Sequence, residues 1–162
     1  MAGDRTQLEA VASPVALLAA IALGLSAGAM LAEGAVLVPY WRSLAPESFL
    51  SWYAANAARL LGFFGPLEIS GATLAVVAAV LHWYGGRAGS GLLVVAALLA
   101  IAVLVTFPLY FQEVNAQFAT GTIAPNRVAA ELRRWSAWHW ARTAIGTTAF
   151  VAVLLGCTRA RA

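Results

Sequence analysis

Four long, uninterrupted apolar runs constrain this chain more than any other feature. A helix needs roughly 20 apolar residues to cross a hydrocarbon core of about 30 Å. The runs Val15–Val38, Leu60–Trp83, Gly91–Phe111 and Trp135–Cys157 each reach that length. Backbone groups in lipid have no water to bond, so runs of this kind close their hydrogen bonds internally as helices. Composition agrees: 62% of the 162 residues are hydrophobic and 10% charged, against about a quarter charged in a soluble domain. The expected fold is all-α: an integral membrane four-helix bundle, a single domain over residues 1–162. The first run exceeds the short core of a removable signal and lacks its small-residue cleavage pattern, so it is expected to stay as a span.

The connecting segments carry local signals. Ser13-Pro14 suits a helix start. Gly24 and Gly28 form a small-xxx-small pair that favours close helix packing. Between Pro39 and Arg59, the residues Tyr40, Trp41, Phe49, Leu50, Trp52 and Tyr53 mix with Arg42, Glu47, Asn56 and Arg59. That mixture predicts an interfacial helix between spans one and two, capped by Ser48, with its aromatics at headgroup level and Asn56 in solvent. Pro66, after Gly65, is expected to loosen span two. His82 beside Trp83 and Tyr84 reads as an interfacial residue at the other surface. Gly85-Gly86-Arg87 predicts a tight turn, as do Thr120-Gly121-Thr122 and Pro125-Asn126, and residues 128–134 predict an early start to the fourth helix. Cys157 is the lone cysteine, which excludes an intrachain disulfide, thiol-rich metal sites and CxxC redox chemistry. The net charge of +3 is spread over both sets of loops, which argues against a nucleic-acid partner. Arg42, Arg59, Arg127, Arg133 and Arg134 are diluted over long loops. Arg5, Arg87, Arg159 and Arg161 lie on the side of the termini, so the expected orientation in the plasma membrane has cytoplasmic termini.

The functional signal is an asymmetry of charge. Alternate crossing brings the end of span one, the start of span two, the end of span three and the start of span four to one side. Those four ends carry Glu33, Glu68, Glu113 with Asn115, and His139 with Arg142. The other half has only His82, at its rim. An ionisable residue at a helix centre costs about 2.5–3.5 kcal/mol on insertion scales, and such residues face a bundle interior or a wet cavity. Trp135, His139 and Arg142 stand at i, i+4 and i+7, one stripe of a helix. Three chemistries remain open for such a cluster. A metal held by the carboxylates and His139 is one, although the paired Glu-x-x-His motif of di-iron bundles is absent and one usable histidine suits copper or haem poorly. A proton or ion relay is another, with little machinery for alternating access. In the third, His139 or a buried glutamate is a general base toward a lipophilic, weakly acidic substrate, with Arg142 stabilising the enolate or phenolate. A purely structural pairing of Glu33 or Glu68 with Arg142 would instead make the chain a non-catalytic membrane module, a subunit or small-ligand binder.

Glu33 to Pro39 leading into an aromatic loop, Phe107-Pro108 to Asn115, and above all Trp135-x-x-Trp138-His139-x-x-Arg142 resemble the anthrone-oxygenase-like family of small four-helix membrane proteins. The resemblance runs over nearly the whole chain. It implies an O₂-dependent monooxygenase of polyketide anthrones with no organic cofactor or metal, in which a deprotonated methylene carbon reacts directly with O₂. The chain departs from the family's W-x-x-W-N-x-x-R arrangement at His139, where asparagine is usual. The expected site has His139 as base, Arg142 as oxyanion partner and Glu33 and Glu68 as acid or base helpers. Glu113 and Asn115 would line the entrance, with Trp135, Trp138 and Phe64 as walls. The partners expected are the lipid bilayer and a lipophilic small molecule, with homo-oligomer formation and a carboxylate/His metal-dependent oxidoreductase left as alternatives.

Overall fold

The structure, a computed structural model, describes residues 2–160, with side chains from residue 11 onward. These residues are helical throughout apart from short turns. Helix α1 (Ala2–Ala32) passes through Pro14 unbroken, opens into a π turn at Glu33–Leu37 and continues as α2 (Val38–Ser43). Leu44 and Ala45 adopt extended backbone, and α3 (Pro46–Tyr84) follows with proline in its first turn. After a turn containing Gly86 and Gly89 at positive φ come α4 (Ser90–Thr106), a second π turn at Phe107–Phe111 and α5 (Gln112–Thr120). Gly121, also at positive φ, ends α5, and Pro125 opens α6 (Pro125–Arg159). Pro fits a first helical turn because its missing N–H would have no partner there.

Four rods result, 11–43, 46–84, 90–120 and 125–159, each long and apolar enough to cross a membrane and each enclosing one predicted span. The protein is thus a multi-pass membrane four-helix bundle. α3 packs on α1 and α4, and α6 packs on α4 and α1, so the rods close a ring in which α3 and α6 face each other diagonally.

Three local expectations are corrected. The aromatic segment is helical, but it forms no separate interfacial helix capped by Ser48: residues 46–59 are the opening turns of α3, with Ala45 at the N-cap position. Pro46 starts the helix, and nothing between it and the apolar run breaks it. His82, expected among solvent-facing belt residues, is buried within the bundle, where its ring N–H reaches the Ala78 carbonyl at 2.9 Å and needs no water. Asn56 is likewise half-buried, donating to the Trp52 carbonyl at 2.8 Å.

The core divides along the membrane normal. Its terminal half is small-residue packing: Ala16, Ala19, Ala20, Ala72, Ala75, Ala78, Ala96, Ala97, Ala100, Ala149 and Ala152 with a few larger aliphatics. Small side chains let helix backbones approach closely, which suits association in lipid. Of the predicted glycine pair only Gly24 serves it, since a Cβ there would come within 2.9 Å of the Phe150 ring, while Gly28 meets nothing. The loop-side half is built from Trp41, Phe49, Tyr53, Tyr110, Phe111, Phe118 and Trp135 in edge and tilted contacts about 5–6 Å apart. Between the halves lies a buried polar layer of Ser26, Glu33, Glu68, Thr106, His139, Arg142 and Thr143.

Candidate functional site

The polar layer is assembled at two π turns. Each coincides with a proline, Pro39 just beyond the first and Pro108 inside the second. Proline offers no N–H to the residue four before it and crowds that carbonyl, and a wider turn accommodates the ring. The first π turn begins at Glu33, the second ends at Phe111, and both residues touch Arg142.

Arg142 sits at the centre. Its Nη2 donates to Glu33 Oε2 at 3.3 Å, its Nη1 lies 3.5 Å from Glu68 Oε1, and its Nε points to His139 Nδ1 at 3.4 Å. The guanidinium also covers the Phe111 ring at 4.4 Å, a cation–π contact. One cation from α6 therefore bridges carboxylates of two neighbouring rods, Glu33 following α1 and Glu68 on α3. The three groups together are neutral when they hold one proton. Glu68 Oε1 is buried without a hydrogen-bond partner among the described residues, which is uncommon for an acceptor taken out of water.

Above this set opens a cavity of about 650 Å³, within the range of small-molecule sites. Glu33, Glu68 and Arg142 form its polar floor, and Tyr53, Leu60, Phe64, Phe107, Asn115 and Trp135 form much of its wall. Trp135 Nε1 donates to Asn115 Oδ1 at 2.9 Å, tying α6 to α5 at the wall. A void of about 10 Å³ between Ser26, Met30 and Gly146 touches the other side of Glu68.

Of the residues expected in the site, Glu33, Glu68, Arg142, Trp135, Asn115 and Phe64 line this cavity; His139, Glu113 and Trp138 do not. At about 100° per residue, Trp135 and Arg142 differ by about 20° around α6. His139 lies about 40° to one side and Trp138 about 60° to the other by the same count. His139 accordingly turns toward α1, fully buried, stacked on Trp135 at 5.0 Å. Because a carbonyl can only accept, its Nε2 carries the proton and donates to Met30 O at 2.8 Å, leaving Nδ1 as acceptor for Arg142. Gly34 makes room for it: a Cβ there would stand 3.0 Å from the His139 ring. His139 holds Arg142 in place and does not face a guest. Trp138 stacks on Tyr110 outside the cavity, 5.1 Å apart, with Tyr110 donating to Glu131 at 2.7 Å. Glu113 is exposed and bonds Gln117 at 3.1 Å. Its place in the wall is taken by Gln112. A π turn holds one residue more than an α turn, which rotates α5 by about 100° against α4, so the phase of this segment is not readable from the run before it.

Two wall residues carried a sequence signal that pointed elsewhere. Tyr53 belongs to the amphipathic segment assigned to the headgroups, yet it is buried between Trp41 and Phe118. Phe107 entered only as part of the Phe107-Pro108 motif, with no place in the site. Among the described residues no three His, Cys, Asp or Glu side chains converge as metal ligands; the guanidinium stands between the two glutamates. Comparison of the chain with protein-family profiles, curated proteins and solved structures returns no match.

Proposed function

We propose that this protein is a cell-membrane oxygenase that removes a proton from a lipophilic, weakly acidic compound and lets the resulting anion react with O₂, without an organic cofactor or metal. The observation that carries the reading is the floor of the cavity: two carboxylates share one guanidinium beneath an apolar chamber, and Glu68 Oε1, ion-paired at 3.5 Å, accepts no hydrogen bond. A guest with an acidic C–H or O–H supplies the donor that Glu68 Oε1 lacks. Glu68 takes the proton, Arg142 faces the oxygen on which negative charge develops, and the aromatic wall holds a flat ring. For an activated methylene the balance is R₂CH₂ + O₂ → R₂C=O + H₂O. The carbon gives up four electrons, O₂ accepts them, one oxygen atom stays on carbon and the other leaves as water. Phenolic and polyketide-type rings, anthrones among them, are the substrate class, and O₂ partitions into the same apolar space. We place both termini in the cytoplasm on the arginine distribution.

The test is O₂ consumption and quinone formation from anthrone by purified protein in nanodiscs, beside Glu68→Gln and Glu33→Gln. General acid–base groups contribute about 10²–10⁴-fold, so turnover is expected to fall by at least about 10² in Glu68→Gln. Unchanged turnover in both variants refutes the assignment. Elemental analysis with an absorption spectrum separates a metal-dependent oxidoreductase. The locked geometry of Arg142 between two carboxylates also fits a non-catalytic binder, which would retain the compound and consume no O₂.

A further inference from the structure

One flank of the cavity is bordered by exposed and half-buried residues. Along α3 the lining runs from Ala57 to Ile69, about 18 Å at 1.5 Å per residue, and Leu61 and Ile69 on that edge are each 58% exposed. Across the gap stand Leu104 and Phe107, both half-buried, and the exposed Ala116. Leu61, Ile69, Leu104 and Phe107 belong to the apolar runs, so the slit between α3 and α4 lies at hydrocarbon depth. Gly65 sits midway along it, one turn from Glu68. A Cβ at Gly65 would meet only Leu61 Cδ1, at 3.9 Å, whereas at Gly34 and Gly146 it would run into the His139 ring and Met30. Glycine inside a helix costs about 1 kcal/mol against alanine, and at Gly65 no packing contact accounts for it. Its effect is to leave the slit open directly above the carboxylate.

We propose that this slit is a lateral port through which the site takes an amphiphile from the surrounding leaflet. The guest's weakly acidic ring end reaches Glu68 and Arg142 while its apolar tail stays between α3 and α4 in lipid, with Gly65 as the threshold. The inference rests on the cavity being the substrate site, not on the oxidation performed there. An aqueous route does not explain apolar rims exposed at this depth. The floor holds two carboxylates against one cation, so it suits a neutral hydrogen-bond donor and disfavours a carboxylate or phosphate head.

The experiment measures binding of 4-dodecylphenol to the protein in phosphatidylcholine nanodiscs, for the wild type, Gly65→Phe, Leu104→Trp and Val80→Phe. The first two variants block the slit from opposite sides. Val80, 47% exposed, lies on α3 outside the cavity lining and controls for added bulk. The wild type and Val80→Phe are expected to bind alike and the blocked variants at least about tenfold more weakly, equivalent to about 1.4 kcal/mol, with thermal unfolding preserved. The same phenol with a nitroxide at its tail end should be relaxed by O₂, which concentrates in lipid, and not by a water-soluble nickel chelate. Undiminished binding in both folded blocked variants overturns the port, and so does an equal loss in Val80→Phe or a nickel-accessible tail. Tighter retention of tetraphenylphosphonium than of the phenol overturns the substrate class. Binding as expected, with no O₂ consumed when anthrone is supplied to the wild type, refutes the oxygenase reading and leaves the port standing.

Discussion

Replacing Arg142 by methionine removes the cation that bridges Glu33 and Glu68 while keeping an unbranched side chain in the space. The structure sets the size of the effect. The guanidinium, 7% exposed, lies 3.3 Å and 3.5 Å from its two carboxylate partners and 4.4 Å from the Phe111 ring centre. Removing one partner of a buried charge pair typically costs about 3–5 kcal/mol, because the charge left behind has no compensation. For a chain of this size each kcal/mol moves the melting temperature by about 2–4 °C, so Arg142→Met is expected to melt roughly 6–20 °C below the wild type. Replacing the whole set by apolar residues of similar volume leaves no orphaned charge and is often neutral or stabilising. The triple variant Glu33→Leu/Glu68→Leu/Arg142→Met should therefore return to within about 1 kcal/mol of the wild type. Thermal unfolding of the purified protein in nanodiscs, followed by tryptophan fluorescence, reads both. A single variant as stable as the wild type, or a triple variant no better than the single, would refute the argument that these charges form one interdependent set.

Two further predictions follow from the same geometry. Gly34→Ala places a methyl 3.0 Å from the His139 ring and 3.1 Å from Trp140, and overpacking of this kind should destabilise by about 1–3 kcal/mol. Gly28→Ala, where a Cβ meets nothing, should be neutral or stabilising by up to about 1 kcal/mol, as differential melting of the pair will show. Trp135→Phe keeps the aromatic wall but deletes the donor to Asn115, and should cost about 1–3 kcal/mol by leaving the half-buried acceptor unpaired. Asn115→Leu in the Trp135→Phe background should then recover part of that loss.

Much of the architecture was legible in the chain. The four apolar runs fell inside the four rods, the turn signal at Gly121 marked the end of α5, and the one-sided charge identified Glu33, Glu68 and Arg142. The legible part is the part that hydropathy and chain direction dictate. Spacing on one helix was less reliable. Trp135, His139 and Arg142 share a stripe and are all buried, yet about 60° of azimuth separates His139 from Arg142. It therefore belongs to the contact with α1, and Arg142 to the cavity. Glu113 and Trp138 were misassigned for a related reason. Which of several neighbouring polar or aromatic residues faces inward depends on helix rotation, and ahead of Glu113 a π turn resets that rotation.

The amino-acid sequence by itself determined that this is a four-span bundle whose few charges gather in one half, because lipid leaves neither backbone nor charge an alternative. Only the tertiary structure decided that a single guanidinium, Arg142, joins the carboxylates of two neighbouring rods, and that alanines close one half while aromatics leave the other half hollow. Those features depend on how helices are rotated and which rods become neighbours, and the chain's periodicity specifies neither once π turns shift its phase.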